Sequence, residues 1–142
     1  MKENIIIRDA VIDDIKEIQL MSLADELKNP NGEAQKEWWF ESFVKEKQFF
    51  YVAVLDTRVV GFILAERTTG DCLLIQDIFV LESFRGMGIG KIFMDKVEEE
   101  ARKRNYKLIY VYGDVLNGKT QNFYKKLAFE ESHLVKEFVK FL

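Results

Sequence analysis

Three of the eight glycines of the chain fall within one short stretch, Arg85-Gly86-Met87-Gly88-Ile89-Gly90-Lys91. The stretch follows an apolar run typical of a strand and precedes a periodic pattern typical of a helix. Glycines let backbone N–H groups curl around an anion, and a helix start adds unpaired N–H groups and a partial positive charge. Arg85 and Lys91 add formal positive charge. The stretch therefore predicts a site for a phosphate or pyrophosphate group.

A simple turn or a nucleotide-binding motif would account for the glycine stretch less well. A sharp turn between a strand and a helix would need only one or two glycines. A P-loop has four residues between its glycines and a Ser or Thr after its lysine, whereas three residues separate Gly86 from Gly90, and Ile92 follows Lys91. A dinucleotide fingerprint needs a third glycine at the position of Lys91 and a place near the start of a parallel β-α-β unit. Asp114 could imitate the ribose-binding acid of that fingerprint, but the rest of the pattern disfavours it.

On either side of the glycine stretch, the apolar pattern predicts a mixed α/β sheet in a single domain of residues 1–142. Two helices follow the first strand, an antiparallel meander of three strands precedes the glycines, and strand–helix–strand units follow them. The predicted order is β-α-α-β-β-β-α-β-α-β. The predicted strands are Asn4–Arg8, Phe49–Leu55, Val59–Arg67, Cys72–Leu81, Lys107–Tyr112 and Leu134–Phe141, and the predicted helices are one that begins at Asp13-Asp14, Glu33–Lys47, Gly90–Arg104 and Lys119–Leu127.

Composition excludes several classes of function. The 142 residues carry a formal net charge of −3, so nucleic acid is not an expected partner. The single cysteine, Cys72, excludes an intrachain disulfide, and the single histidine, His133, leaves no set of imidazole ligands for a metal and no Ser-His-Asp triad. Neither a signal-peptide core nor an apolar run of roughly 20 residues is present. We therefore expect a cytoplasmic protein without a membrane partner.

The segment Val80–Gly90 carries the pattern Arg-x-x-Gly-x-Gly and resembles the acetyl-CoA loop of the GNAT superfamily of N-acetyltransferases. Asn117 followed by Asn122-Phe123-Tyr124-Lys125-Lys126-Leu127-Ala128-Phe129 resembles the C-terminal Asn…Phe-Tyr-x-x-x-Gly-Phe segment of that family, with Ala128 in place of the usual glycine. The predicted element order is similar to the family along nearly the whole chain. The resemblance implies a GNAT-type acyl-CoA N-acyltransferase fold and transfer of an acetyl group from acetyl-CoA to a primary amine.

The resemblance also implies roles for individual residues. The pantetheine would lie along the strand that ends at Phe79-Val80, and a backbone N–H near Ile78 or Phe79 would polarise the thioester carbonyl. Tyr124 would be the general acid that protonates the leaving thiolate, although its segment could also be an apolar helix face. Asn117 would bind the pantetheine or cap the following helix. The implied cofactor-binding residues are Phe79, Val80, Arg85, Gly86, Met87, Gly88, Ile89, Gly90, Lys91, Asn117 and Lys126, and no metal is implied.

The sequence leaves the general base open. Within the family, Leu74–Gly90 is most similar to the diamine (spermidine/spermine-type) acetyltransferases, which often have a glutamate at the position of Gln76. Glutamine cannot titrate. On a regularly alternating strand, Gln76 and Asp77 would face opposite sides of the sheet, which argues against Asp77 as a direct replacement. Water held by Gln76, or the carboxylate of Glu82 or Asp114, stays open as the base.

The acceptor is expected to be a small cationic amine. In the family, the first two helices and their loop border the acceptor cleft, and here residues 9–46 hold ten acidic side chains and four lysines. That balance suits a cation, although solvated helix faces would also explain it. Trp38 and Trp39 are adjacent, so one of them could line the cleft or a homodimer contact. The alternatives are acetylation of a protein N-terminus or lysine, a non-catalytic CoA-binding module and, last, a dinucleotide oxidoreductase.

Overall fold

The computed structural model describes residues 4–142 and confirms the predicted mixed α/β fold. The contacts among these residues divide the chain into two units, one that ends at Val111 and one that begins at Tyr112. The first unit holds five strands and three α-helices, and the second holds one α-helix. The strands are β1 Ile5–Asp9, β2 Phe49–Leu55, β3 Arg58–Arg67, β4 Cys72–Val80 and β5 Leu108–Tyr110, and the helices are α1 Ile15–Met21, α2 Glu37–Lys45, α3 Ile89–Lys103 and α4 Gly118–Lys126.

The five strands form one sheet in the order β1-β2-β3-β4-β5. The first four strands pair antiparallel, and β5 runs parallel to β4. The predicted meander of three strands is therefore confirmed. Two register shifts interrupt the ladders, one between β2 and β3 at Ala53/Val54 and one between β3 and β4 at Leu64/Ala65.

Helices cover both faces of this sheet. One face carries Phe62 and Leu64, which belong to one core cluster with the buried residues of α1 and α2. The helix α3 contacts β2, β3 and β4 from the other side. Its buried residues, at roughly helical spacing, are Ile89, Phe93, Met94, Val97 and Ala101. A large apolar side chain of this kind contributes about 1.5–3 kcal/mol when it is fully removed from water.

A buried carboxylate fixes the start of α1. Asp14 accepts two hydrogen bonds from the guanidinium of Arg8, at 2.8 and 2.9 Å, and a third from the N–H of Val11 at 2.8 Å. These bonds satisfy a charge that would otherwise be costly to bury. They also tie the end of β1 to the helix that covers the sheet.

The structure corrects two predicted elements. The closing strand Leu134–Phe141 is wrong, because the described residues after Lys126 contain no strand or helix, and Leu134 and Phe138 are exposed. Apolar alternation favours a strand, but a strand forms only where a partner supplies hydrogen bonds and a face to pack on. The predicted helix Glu33–Lys47 is shorter and begins at Glu37. Within the described residues, no helix is both long and apolar enough to span a membrane.

Candidate functional site

The glycine stretch forms the turn from β4 into α3, and its backbone explains two of the three glycines. Gly86 and Gly88 have φ values of +79° and +84°, a left-handed conformation that is strained for residues with a Cβ. Gly88 is the N-cap of α3, and its carbonyl accepts the first helical bond from the N–H of Ile92 at 3.1 Å. Gly90 lies inside the first helical turn. This stretch, residues 85–91, is called the glycine loop below.

The beginning of α3 is suited to an anion. The first turn of a helix has N–H groups without intrahelical partners and a partial positive charge. No acidic side chain stands in the first turn of α3 to neutralise that charge. The exposed Lys91 pairs with Asp95 at 2.7 Å, an exposed i,i+4 pair worth only about 0.3–0.5 kcal/mol. An anion at the glycine loop could therefore take this lysine from Asp95 at little cost.

Arg85 connects the glycine loop to two other parts of the first unit. Its Nε donates to the carbonyl of Val80 at 2.8 Å, and its guanidinium lies 5.2 Å from the ring centroid of Phe79. Its Nη2 pairs with Glu26 at 3.0 Å, in the connection between α1 and α2. Sequence reasoning missed Glu26, because no local pattern links residues 59 positions apart.

The edge of β4 that leads to the glycine loop is open. The strand β5 pairs only with Cys72, Leu73 and Leu74. Among the described strands, none pairs with that edge of β4 beyond Leu74, whereas β3 follows the opposite edge as far as Val80. The stretch Ile75–Val80 therefore offers backbone groups that an extended amide-containing ligand could use, as an added strand does. Phe79 and Val80 lie at the end of this stretch, next to the glycine loop.

A glycine outside the glycine loop holds the end of β4 in place. Gly61 of β3 pairs with Val80, and a Cβ on Gly61 would lie 2.6 Å from the carbonyl oxygen of Phe79 and 3.2 Å from the Cα of Val80. Side-chain carbon does not approach backbone so closely, so β3 and β4 keep their spacing only with glycine here. Sequence reasoning missed this residue, although a lone glycine within a strand pattern is a signal of such a close approach.

A β-bulge at Gln76 interrupts the alternation of faces along β4. Leu64 of β3 pairs with Asp77 and the next residue, Ala65, pairs with Ile75, so Gln76 is an extra residue without a partner in β3. Directly paired residues share a face of a sheet. Asp77 therefore lies on the face of Leu64, which α1 and α2 cover. The expected regular alternation of Gln76 and Asp77 is wrong because a bulge adds one residue to one strand.

Polar side chains lie at the bulge and beside it. The side-chain amide of Gln76 donates a hydrogen bond to the carboxylate of Glu66, which belongs to β3. Asp77 is partly buried, and this burial raises the pKa of its carboxyl to about 6. The carboxyl of Asp77 is thus ionised at neutral pH but is more basic than an ordinary aspartate.

The second unit carries the remaining predicted site residues, all on or next to α4. Asn117 is the N-cap of α4, and its side-chain oxygen accepts from the N–H of Thr120 at 3.1 Å, so its capping role is confirmed. Tyr124 is buried, and its ring lies 5.3 Å from that of Phe123 and 5.5 Å from that of Phe129. Burial raises the pKa of the Tyr124 phenol. Lys126 is exposed at the end of the helix.

The other two candidate bases, Glu82 and Asp114, are exposed to solvent. Glu82 is exposed in a short 3-10 turn after β4. Asp114 is exposed, and its carboxylate accepts from the N–H of Leu116 at 2.8 Å, as in a local turn. His133 bonds to the neighbouring Ser132 at 2.8 Å. Among the described residues, no three side chains of the metal-binding types cluster together.

The comparison with known families bears directly on the glycine loop. The sequence pattern of the acetyltransferase (GNAT) family matches residues 12–129, which include β4, the glycine loop and α4. The chain belongs to the GNAT family. The membership predicted from the residues around Arg85 and Tyr124 is confirmed, and the match extends it to the first helices.

Individual relatives support the same assignment. An uncharacterized N-acetyltransferase of Methanocaldococcus jannaschii is 31% identical over 110 residues, which cover 72% of this chain and 49% of that protein. The chain spans about half the length of the curated relatives it matches first.

Two solved structures show the GNAT fold with different ligands. Naa50 of Arabidopsis thaliana, in complex with the bisubstrate analogue CoA-Ac-MVNAL, has a TM-score of 0.75 at 19% identity and covers 92% of this chain and 85% of its own. An aminoglycoside acetyltransferase from an uncultured soil metagenomic sample, in complex with sisomicin, has a TM-score of 0.76 at 20% identity. The match covers 99% of this chain and 98% of that chain. At these identities the likeness shows the fold alone, so it does not choose between a peptide and a small-molecule acceptor.

Proposed function

We propose that residues 1–142 form one acetyltransferase domain that transfers an acetyl group from acetyl-CoA to a primary amine, and that the acceptor is a small cationic molecule. The observation that carries the proposal is the glycine loop at the start of α3, directly after the open edge of β4. The first feature fits a pyrophosphate, and the second fits the two amides of a pantetheine arm. The family match supports the reaction class.

Several residues of the chain would share the binding of acetyl-CoA. Backbone N–H groups of Gly88, Ile89 and Gly90 would bind the pyrophosphate, and Lys91 would add charge. Ile89 is itself buried, so its side chain would anchor the helix start while its backbone contacts the ligand. Backbone groups of Phe79 and Val80 would hold the pantetheine. When bound, acetyl-CoA supplies the acetyl group as a thioester.

Tyr124 is the proposed general acid. Its raised pKa keeps the phenol protonated at neutral pH, which is the form that can donate a proton to a leaving thiolate. Asn117 caps α4, the helix that carries Tyr124. Tyr124→Phe should retain the packing of the ring with Phe123 and Phe129 and slow the chemical step about 10²-fold. Single-turnover rates with unchanged acetyl-CoA affinity would check this, and an unchanged rate would remove Tyr124 from the role.

The charge of residues 9–46 supports a cationic acceptor. Most of the ten acidic residues of this region are exposed, and the region includes α1 and α2, which cover the face of the sheet that bears Asp77. A field of this sign would attract an ammonium group. A diamine of the spermidine type is the finer proposal, and it rests on the resemblance of Leu74–Gly90.

A protein acceptor is the second candidate, and exposed apolar side chains favour it. Leu20 and Leu23, at the end of α1, are 62% and 51% exposed, and Trp38 of α2 is 68% exposed. Large exposed apolar groups on neighbouring elements mark surfaces that bind other chains. A peptide that carries a free N-terminus or a lysine could pack its apolar side chains on such a surface, whereas a small polyamine has none to pack.

One experiment separates these functions. Thermal melting with acetyl-CoA, CoA or NAD tests the cofactor, and we expect a higher melting temperature with the first two only. A panel of diamines, aminoglycosides and N-terminal peptides, with release of free CoA thiol as the readout, then tests the acceptor. Stabilisation by CoA without thiol release from any acceptor would indicate a binding module. Stabilisation by NAD alone would overturn the cofactor assignment.

Location and assembly are also part of the proposal. We expect a cytoplasmic enzyme that needs no metal, nucleic acid or membrane, and a homodimer in solution. The exposed Trp38 is a candidate contact of such a dimer. Light scattering of the purified protein, with and without Trp38→Ala, would measure the oligomeric state.

A further inference from the structure

The centre of β4 carries one carboxylate, that of Asp77, beside the open edge of the strand. Asp77 lies within the open stretch Ile75–Val80, two residues before Phe79 and the glycine loop end of the strand. The bulge at Gln76 sets Asp77 on the face of Leu64 and Phe79. This is the face that α1 and α2 cover, and therefore the face on which the acceptor is expected.

The surroundings of Asp77 leave its carboxylate available to a ligand. In the part of the chain that the structure describes, no hydrogen bond or ion pair engages this carboxylate, in contrast to Asp14, which Arg8 neutralises. The neighbouring Glu66 is occupied by the amide of Gln76. A partly buried carboxylate without a cation beside it is an unfavourable arrangement for stability alone, and such arrangements are typical of functional sites.

The other titratable groups near Asp77 come from each packed element. On the neighbouring strands, Glu66 of β3 and Tyr110 of β5 both pair with Leu74 of β4. The buried residues of the covering helices are apolar, namely Ile15, Ile18, Met21, Phe40 and Phe43. The charged residues of these helices are Lys16, Glu17, Glu37, Glu41 and Lys45, none of which is buried. Burial is accordingly the cause of the raised pKa of Asp77.

We propose that Asp77 is the general base that accepts the proton of the acceptor ammonium, a role that rests on the proposed acetyl transfer. A carboxylate oxygen of Asp77 takes one proton from the ammonium, and the neutral amine forms a C–N bond with the acetyl carbonyl carbon. The C–S bond of the thioester breaks, and the thiolate leaves with a proton from Tyr124. The acetylated nitrogen loses its second proton to solvent, the Tyr124 phenolate takes up one proton from solvent, and Asp77 releases its proton to solvent, so that one proton is released in each turnover.

Gln76 has a separate role in this proposal. It is the bulge residue, and its side chain is bonded to Glu66 of the neighbouring strand. Because the bulge decides on which face the next residue lies, Gln76 fixes the face on which Asp77 lies. Gln76 is therefore a positioning residue.

The pH dependence of the rate tests the proposal. In the wild-type protein, kcat/KM should rise through an apparent pKa near 6 as Asp77 ionises. This pKa should stay the same for two acceptors of different basicity, because it belongs to the enzyme. Without a base, the rate would follow the free amine, whose pKa is about 10.4 for an alkylammonium and changes with the acceptor.

The Asp77→Asn variant provides the second arm, because asparagine keeps the size of the side chain and cannot titrate. We expect kcat/KM to fall about 10²-fold at a pH of about 7.5. The rise of kcat/KM with pH near 6, called the limb below, should disappear. The remaining rate should follow the pKa of the acceptor. Thermal stabilisation by acetyl-CoA should persist, which shows an intact cofactor site. Glu82→Gln and Asp114→Asn are the comparison variants, and both should retain the limb.

Each result of these measurements supports or overturns the proposal. An acceptor-independent limb in the wild-type protein that is lost only in Asp77→Asn supports it. A limb that survives in Asp77→Asn, that disappears in Asp114→Asn or Glu82→Gln instead, or that is absent from the wild-type protein overturns it while the acetyl transfer itself stands. Absence of transfer by the wild-type protein to every amine tested would instead refute the proposed function. If Asp77→Asn does not fold, Asp77→Ser replaces it in the same measurements, because serine also removes the carboxylate.

Discussion

The glycine loop and the centre of β4 are neighbouring parts of one candidate site, but they are specified in different ways. The loop depends on residue types: glycines at +79° and +84°, an arginine and a lysine, and a helix start without acidic residues. The centre of β4 depends on register, because one unpaired residue, Gln76, decides which face Asp77 occupies. A loop of this kind can be identified within a short segment, whereas the bulge is defined only by the partner strand.

The two regions also differ in their effect on stability. The glycine loop has backbone conformations that glycine adopts without strain, so this turn forms at little cost. The centre of β4 keeps a carboxylate partly out of water without a compensating cation. We therefore expect that substitutions in the loop weaken binding, and that substitution of Asp77 lowers activity while it raises stability.

The largest expected effect on stability is at Asp77. Asp77→Asn should raise the free energy of unfolding at pH 8 by up to about 3 kcal/mol. The reason is that the fold destabilises the charged carboxylate by an amount that corresponds to roughly two pKa units, and asparagine carries no charge. The wild-type carboxyl has a pKa of about 6 in the fold against an ordinary value of 3.8. Its native state therefore holds the proton more tightly, so the wild type loses stability as pH rises from about 4 through 6. Denaturant titrations at pH 4 and pH 8 measure the difference, which should vanish at pH 4.

The control for this measurement is Asp71→Asn, which removes an exposed carboxylate just before β4. Substitutions at exposed positions usually change the free energy of unfolding by less than about 0.5 kcal/mol. Equal stabilities of Asp77→Asn and the wild type at both pH values would contradict the contrast between the two regions.

A smaller effect is expected in the glycine loop, where the chain offers a matched pair. Gly86 and Gly32 have φ values of +79° and +81°, and a Cβ would meet no atom within 4 Å at either position. Alanine at each should cost about 1–2 kcal/mol of stability through the same backbone strain. Only Gly86→Ala should weaken CoA binding, by about tenfold, because only it alters the loop at the start of α3.

Calorimetric titration of CoA into both variants, with thermal melting of the free proteins, gives the two readouts. If Gly32→Ala weakens CoA binding as much as Gly86→Ala does, the loss of affinity reflects general destabilisation, and the glycine loop has no special role in binding.

Residue patterns along the chain were enough to predict the fold class, the antiparallel meander, the helix after the glycines and the family. These features depend on local signals: apolar spacing, glycines beside basic residues, and an Asn followed by Phe-Tyr. Asn117 shows the same point on a small scale, since its capping bond to Thr120 spans three residues. Local patterns suffice because both partners of each interaction are close in the chain.

Four features were settled only by the packing of distant segments: the face of Asp77, the close approach at Gly61, the pairing of Arg85 with Glu26, and the absence of a strand at Leu134–Phe141. Each of these depends on which residues of separate segments meet. A bulge exists only relative to a paired strand, and an apolar run becomes a strand only where another strand accepts its hydrogen bonds. Because those partners lie far away in the chain, no pattern within the segment itself could specify them.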